Sequence, residues 1–175
     1  MMNSIAKNEF SVINFLVRNF MNRYTIRNIA KELKLSPAGV YTIVKKLEKS
    51  NILISEKLGT GLFYELNLND KAAEYIALVV LLRYNDARKI ELKEIKDEIR
   101  LAVFDNKNLL LVTDNIGHAE DFCRKLKDVN AVVMNENELI EKIKLKDNKT
   151  LQILNQGNVV YGEHYFIEIV KSGVR

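Results

Sequence analysis

The chain has 175 residues, 47% hydrophobic and 29% charged, which suits one large or two small domains with real cores. One Pro and seven Gly argue against a long disordered linker, and the single cysteine, Cys123, excludes an internal disulfide or a cysteine-cluster zinc site. The net charge of +4 is uneven: residues 1–67 carry ten Lys/Arg against five Asp/Glu, and the remainder carries 17 against 18. A surface that gains counterion release on binding phosphates is therefore expected in the first part only.

No apolar run near the start has the form of a signal peptide. The most apolar stretch, residues 76–82, is too short to span a bilayer. A cytoplasmic protein without membrane contact is the expectation.

Residues 1–23 carry a helical pattern, with Phe10, Val12, Ile13, Phe15, Leu16, Val17 and Phe20 in a wide apolar stripe. This helix would pack under the next two helices or against a partner chain. Arg18 and Arg23 are open to phosphate contact or to a solvated surface role.

Residues 24–66 organise the rest. Thr25 can cap a helix over Ile26–Leu33, where Ile26, Ile29, Ala30 and Leu33 form one apolar face. Leu35 is the apolar residue of a short turn. Ser36 can cap a second helix, with Pro37 at its first position, running to Lys49. Val40, Ile43, Val44 and Leu47 share one side; Ala38, Thr42, Lys45 and Lys49 lie opposite, flanked by Tyr41 and Lys46. Ile52 and Ile54, then Tyr64 and Leu66, alternate with polar neighbours around LGTG, which predicts a hairpin with Lys57 and Thr60 at or near its tip.

The segments LSPAGVYTIVKKLEKSNILI and ISEKLGTGLFYELN resemble the winged helix-turn-helix domains of MarR-like transcriptional regulators. The resemblance covers about the first 70 residues. It implies duplex DNA as partner, read through helix 36–49 and a wing at 57–61. The implied DNA-binding residues are Thr25, Arg27, Ser36, Ala38, Tyr41, Thr42, Lys45, Lys46, Lys49, Lys57 and Thr60. The competing reading is a small three-helix domain whose hairpin contacts protein.

Asn69 or Asp70 can cap a following helix, and residues 71–100 contain neither Gly nor Pro. One long helix, or two broken near Asn85, is expected. Ala73, Ile76, Ala77, Val80, Leu81 and Tyr84 make a surface wide enough for a homodimer interface or for packing on the next domain. From Asp86 to Arg100 the chain is charged, with Ile90, Ile95 and Ile99 as apolar points of a connector. Three regions result: 1–68, a DNA-binding domain; 69–99, a helical connector; and 100–175, a small α/β domain.

In that last region RLAVFD and NLLLVTD read as a hairpin joined by DNKN. HAEDFCRKLKD reads as a helix, NAVVMN as a buried strand, and ENELIEKIKLKD as a helix capped by Asn135 or Asn137. KTLQILNQG reads as a helix closed by Gly157. NVVYGEHYFIEIV shows strand-like alternation to the end. The fold class is α+β, with the winged helix first.

The ending ILNQGNVVYGEHYFIEIV resembles the tail of nucleotidyltransferase-like domains of the polymerase-beta superfamily, which archaea and bacteria fuse behind a winged helix. The resemblance implies a final apolar strand. An active member needs a GSxxxG turn for the triphosphate and a DxD pair for Mg²⁺. Neither is present: no GS follows Phe104, and the second strand reads LLLV where carboxylates belong. Asp105 and Asp114 fall at turns. No catalytic residue, metal site or cofactor is therefore assigned, and Phe104, Leu110, Val132, Ile153, Val160 and Ile167 are expected in one small core. His118 and His164 have no metal-spaced neighbours, and Cys123 reads as core. The resulting function is a non-enzymatic DNA-binding regulator whose small-molecule effector is not specified by the sequence. The alternatives are a divergent nucleotidyltransferase acting on nucleic acid, discriminated against by the absent motifs, and an antitoxin-like protein that binds a partner chain.

Overall fold

A computed structural model describes residues 6–83, 90–105 and 107–173. The chain divides into two compact units between Val80 and Leu81.

Unit 1 contains α1 (Lys7–Arg18), α2 (Ile26–Leu33), α3 (Pro37–Lys49), the hairpin β1 (Leu53–Leu58) and β2 (Gly61–Leu66), and most of α4 (Lys71–Arg83). Its core gathers Val12, Ile13 and Leu16 of α1, Ile29 and Ala30 of α2, Val40, Val44 and Leu47 of α3, and Leu53 and Tyr64 of the hairpin. These are the residues that recur at helical spacing, so the amphipathic stripes meet each other as the sequence implies. Phe15 and Tyr24 stand edge to face with ring centroids 4.7 Å apart. The Tyr64 N–H donates to the Tyr24 carbonyl at 2.9 Å, tying the helices to the hairpin.

The inward side of the hairpin differs from the expectation. Pairing begins at Leu53↔Leu66, which places Leu53, Tyr64 and Leu66 on the side toward the core and turns Ile54, opposite Glu65, to solvent. Ile52 is buried just before the strand, in a turn where its N–H donates to the Leu47 carbonyl. A one-residue offset in where a strand begins exchanges its two faces. Gly59 at φ +57° and Thr60 form the two-residue turn. A first turn residue with positive φ, supplied by glycine, suits a type II′ hairpin.

The apolar surface of α4 is not free, contrary to its use as an exposed interface. Ala73 and Val80 sit in the unit 1 core, Ile76 and Val79 pack against it, and Ala77 and Leu81 are also buried. Tyr75 and Leu82 remain exposed and Leu78 half-exposed. Tyr84 and Asn85 lie outside the described residues. Residues 93–98 form turns rather than the continued helix expected there. Ile95 nonetheless anchors this segment, buried with Leu92 against Ile99 and Phe104.

Unit 2 is a four-stranded sheet in the order β5-β4-β3-β6, built from β3 (Ile99–Asp105), β4 (Asn108–Thr113), β5 (Asn130–Met134) and β6 (Asn158–Tyr161). β3 pairs antiparallel with β4 and β6, and β5 runs parallel to β4. α5 (Ile116–Arg124) makes the crossover between β4 and β5; α6 (Glu136–Lys144) and α7 (Asn148–Gln156) connect β5 to β6. The run LLLV is β4, a central strand buried on both faces, which explains why it lacks alternation. Leu109 and Leu111 share a core with Ala102, Phe104, Ala119 and Phe122. Leu110 and Val112, on the opposite face, are covered together with Leu101 and Val103. The expected single core is thus two layers, with Phe104 and Leu110 on opposite sides of the sheet. β5 is an edge strand, only half-buried along most of its length.

The end of the chain also departs from the expectation. β6 stops at Tyr161, Gly162 turns at φ +82°, and α8 (Glu163–Gly173) is a helix, not the final strand implied by the nucleotidyltransferase-like resemblance. A Cβ at Gly162 would lie 2.0 Å from the Arg100 carbonyl oxygen, so only glycine makes this bend. Phe166, Ile167, Ile169 and Val170 are buried, at the i, i+1, i+3, i+4 spacing of a helix face. The alternation of Tyr165, Ile167 and Ile169 conceals that spacing, and burial outweighs the weak helix propensity of β-branched residues. Gly157 does close α7, but in an extended conformation. Its lack of a side chain matters because a Cβ would lie 2.6 Å from Val103 Cγ1.

Candidate nucleic-acid interface

α2 and α3 are placed by their caps. Thr25 and Asn28 exchange bonds: the Thr25 hydroxyl accepts from the Asn28 N–H at 3.3 Å, and Asn28 Oδ1 accepts from the Thr25 N–H at 3.1 Å. Lys34 turns the chain at φ +54°, and the Leu35 N–H donates to the Ala30 carbonyl at 2.9 Å, closing α2. Such a left-handed closing residue is common at a helix C-terminus. Ser36 Oγ accepts from the Gly39 N–H at 3.1 Å and starts α3. Thr25 and Ser36 are therefore structural caps first; Ser36 also stays exposed at the α3 N-terminus.

The outward face of α3 carries Ala38, Gly39, Tyr41, Thr42, Lys46 and Lys49, all exposed. The Thr42 hydroxyl donates back to the Ala38 carbonyl at 3.1 Å. The first two turns thus present a neutral, low-relief surface on which only Tyr41 stands high, 54% exposed. Base edges are reached from this end of a recognition helix.

The lysines are less free than their spacing suggests. Lys45 is half-buried, 2.6 Å from Glu48 and 5.8 Å from the centre of the Tyr64 ring. Glu48 also accepts from Ser55 of the hairpin at 2.5 Å. The Lys45 ammonium first, then the Ser55 hydroxyl, hold the Glu48 carboxyl below the usual carboxylate range; the bond to Glu48 in turn raises Lys45. Lys46 reaches the buried Glu9 of α1 at 2.5 Å. Arg23 pairs with Glu56 of β1 at 2.5 Å. Arg18, a candidate for phosphate contact, is buried, and its Nε donates to Asn14 Oδ1 at 3.0 Å.

The remaining cations of α2, α3 and the hairpin, with Lys34 between the two helices, stay exposed. Arg27, Lys31 and Lys34 lie on or just after α2, Lys49 ends α3, and Lys57 lies on β1 two residues before Gly59. Thr60 is at the hairpin tip. None of these five basic residues makes an ion pair among the described residues. Helix spacing could not reveal that Glu9, Glu48 and Glu56 would engage three of the cations, because two of those pairs join residues more than 30 apart in sequence. Lys31 on α2 and Lys34 just after it are exposed cations that the apolar spacing of the helices does not single out.

The carboxylates of the unit 2 hairpin are engaged locally. Asp105 accepts from the Asn108 N–H at 2.8 Å and from its side chain, and so fixes the turn. Asp114, at the other end, meets Arg100 at 2.8 Å, and the same guanidinium reaches Glu136 at 2.7 Å. Asn135, not Asn137, caps α6, accepting from the Glu138 N–H.

Residues 7–54 match the family of winged helix-turn-helix DNA-binding domains. No curated protein matches the chain. Two mutant forms of ZitR from Lactococcus lactis are similar in structure. One has 18% identity over 54% of this chain and 70% of its own, with a TM-score of 0.37; the other has 19% identity over 54% and 69%, with a TM-score of 0.36. No helix of the described residues is long and apolar enough to cross a membrane.

Proposed function

We propose that this chain is a transcriptional regulator that reads duplex DNA with the N-terminal half of α3 and grips the backbone with the wing. The observation that carries this reading is the surface of α3. It offers a neutral, uncluttered patch at Ala38, Thr42 and Tyr41, while Arg27, Lys49 and Lys57 stay exposed and make no ion pair among the described residues. Neutral groups near the helix start can approach base edges, while exposed cations of the same domain can contact the phosphates.

Recognition of a specific site by one such helix covers a short half-site, and two-fold dimers commonly join two. The α4 residues left exposed, Tyr75 and Leu82 with Leu78 between them, lie at i, i+3, i+7. This stripe replaces the buried Val80 as the surface for a homodimer. Unit 2 is a regulatory or assembly module without catalysis; the engagement of Asp105 in a turn and Asp114 with Arg100 supports that role.

The test is binding to a randomised duplex library at several salt concentrations. Wild type should select a site with a steep salt dependence. A Thr42→Ala change should alter preference at one base pair by about 1–3 kcal/mol, whereas Lys57→Ala should weaken all sequences alike and reduce the salt slope by about 1. Salt-independent binding, or none to any duplex, defeats the reading.

A further inference from the structure

A groove of about 600 Å³ lies along the outer edge of the unit 2 sheet, lined by Ile90, Glu91, Leu92, Lys93, Lys96, Val160 and Tyr161. Ligand pockets typically occupy roughly 300–1,000 Å³ and are mostly apolar with a few polar groups. Leu92 is buried and Ile90, Val160 and Tyr161 are partly so, so the walls are set by the core rather than by mobile surface groups. Among the described residues β6 is the last strand in the sheet and pairs only with β3. The segment 90–98 packs against this end of the sheet without adding a strand, which leaves the groove between them.

The charged groups sit at its rim. Lys96 Nζ stands 5.8 Å from the centre of the Tyr161 ring, which fixes a cation over an aromatic face at the groove. Neither Lys93 nor Lys96 makes an ion pair among the described residues, whereas nearby Lys125 is held by Glu94. Among the described residues of the lining, Lys93 and Lys96 stand against a single acid, Glu91.

We propose that this groove binds a small monoanionic amphiphile, a carboxylate with an apolar body of moderate length. The apolar body lies against Leu92, Val160 and Tyr161. The carboxylate meets Lys96, with Lys93 as a second cation. Ammonium amphiphiles are excluded by the two lysines, and strongly polyanionic ligands by the apolar walls and Glu91. The site is wholly within unit 2 and does not depend on the DNA-binding reading.

The probe is octanoate, titrated into the full chain and followed by amide chemical shifts, with octylammonium and octanol as controls. Saturable shifts confined to residues 90–96 and 158–161 are expected with octanoate. Binding should weaken about tenfold in Lys96→Gln, a loss of about 1.4 kcal/mol, and less in Lys93→Gln. Both are surface changes that leave the walls intact. Octylammonium should produce no saturable shifts, and octanol should bind more weakly than octanoate. Shifts spread over other regions, equal binding of octanol and octanoate, unchanged octanoate binding in Lys96→Gln, or no saturation by millimolar octanoate would each overturn the proposal.

Discussion

Glu48 is the residue whose surroundings most change the reading of the interface. It holds Lys45 at 2.6 Å and places a negative charge beside the surface proposed to meet phosphate. Glu48→Gln keeps a partner for Ser55, removes that charge and releases Lys45. DNA affinity should rise several-fold at low salt, and the salt slope should steepen by about 0.9 for one added phosphate contact. An unchanged slope would mean that Lys45 does not reach the backbone. The Glu48 carboxyl is held below its ordinary value, first by Lys45. Its stabilising effect is therefore complete above the unfolded value of about 4.3 and fades only as pH falls through the lower folded value. Between about pH 5.5 and 8 this pair should leave DNA binding unchanged. Cys123 offers a second check at this scale. Burial first, then Glu120, push its thiol up to about 11. Alkylation by iodoacetamide at pH 8 should be roughly two orders of magnitude slower than for a free thiol, since the thiolate is the nucleophile. A rate like that of glutathione would show that the α5–β5 region opens readily.

Among the elements, α5, α6 and α7 of unit 2 each begin on a side-chain cap. Asp147 accepts from both the hydroxyl and the N–H of Thr150, at 2.6 and 2.9 Å, and begins α7. The Thr150 hydroxyl first, then its backbone N–H, hold the Asp147 carboxyl down. A depressed carboxyl stabilises the fold above its unfolded pKa of about 3.9 and loses that contribution as pH falls through the folded value. Asn can also cap a helix but does not titrate. Thermal unfolding followed from pH 6 to 3 should thus show a flatter acid dependence in Asp147→Asn than in wild type. Identical curves would place the acid sensitivity elsewhere. The wing illustrates the same dependence of an element on local chemistry. Gly59 fixes a two-residue turn, which fixes the register, which in turn sends Ile54 outward and Tyr64 inward.

At the scale of the whole molecule, α4 separates two roles that the sequence had merged. Val80 is fully buried in the unit 1 core, while Leu82 is 52% exposed. Val80→Asp should destabilise unit 1 by about 4 kcal/mol or more through an unpaired buried charge. Hydrogen exchange should show lost protection in residues 7–80, with the unit 2 strands retaining theirs. Leu82→Asp should leave both units folded and convert a dimeric light-scattering mass to that of one chain. A wild-type mass of one chain at micromolar concentration would remove the dimer from the proposed function.

By itself the sequence determined the bounds of α2 and α3, their caps, the turn residues and the hairpin, because each rests on interactions within a few residues. Thr25, Ser36, Pro37 and the LGTG turn all act locally, so their chemistry is visible in order along the chain. The strands of the unit 2 hairpin were legible for the same reason. What needed the tertiary structure was every feature set by residues distant in sequence. The pairing of Lys46 with Glu9 and Arg23 with Glu56 decided which cations remain available. The burial of Val80 decided that α4 turns its widest apolar side inward. The last segment could alternate as a strand or present a helical face. Gly162 and the burial of Phe166, Ile167, Ile169 and Val170 selected the helix. Local propensity is worth only tenths of a kcal/mol per residue, whereas burying one large apolar side chain contributes about 1.5–3 kcal/mol, so packing decides wherever the two compete.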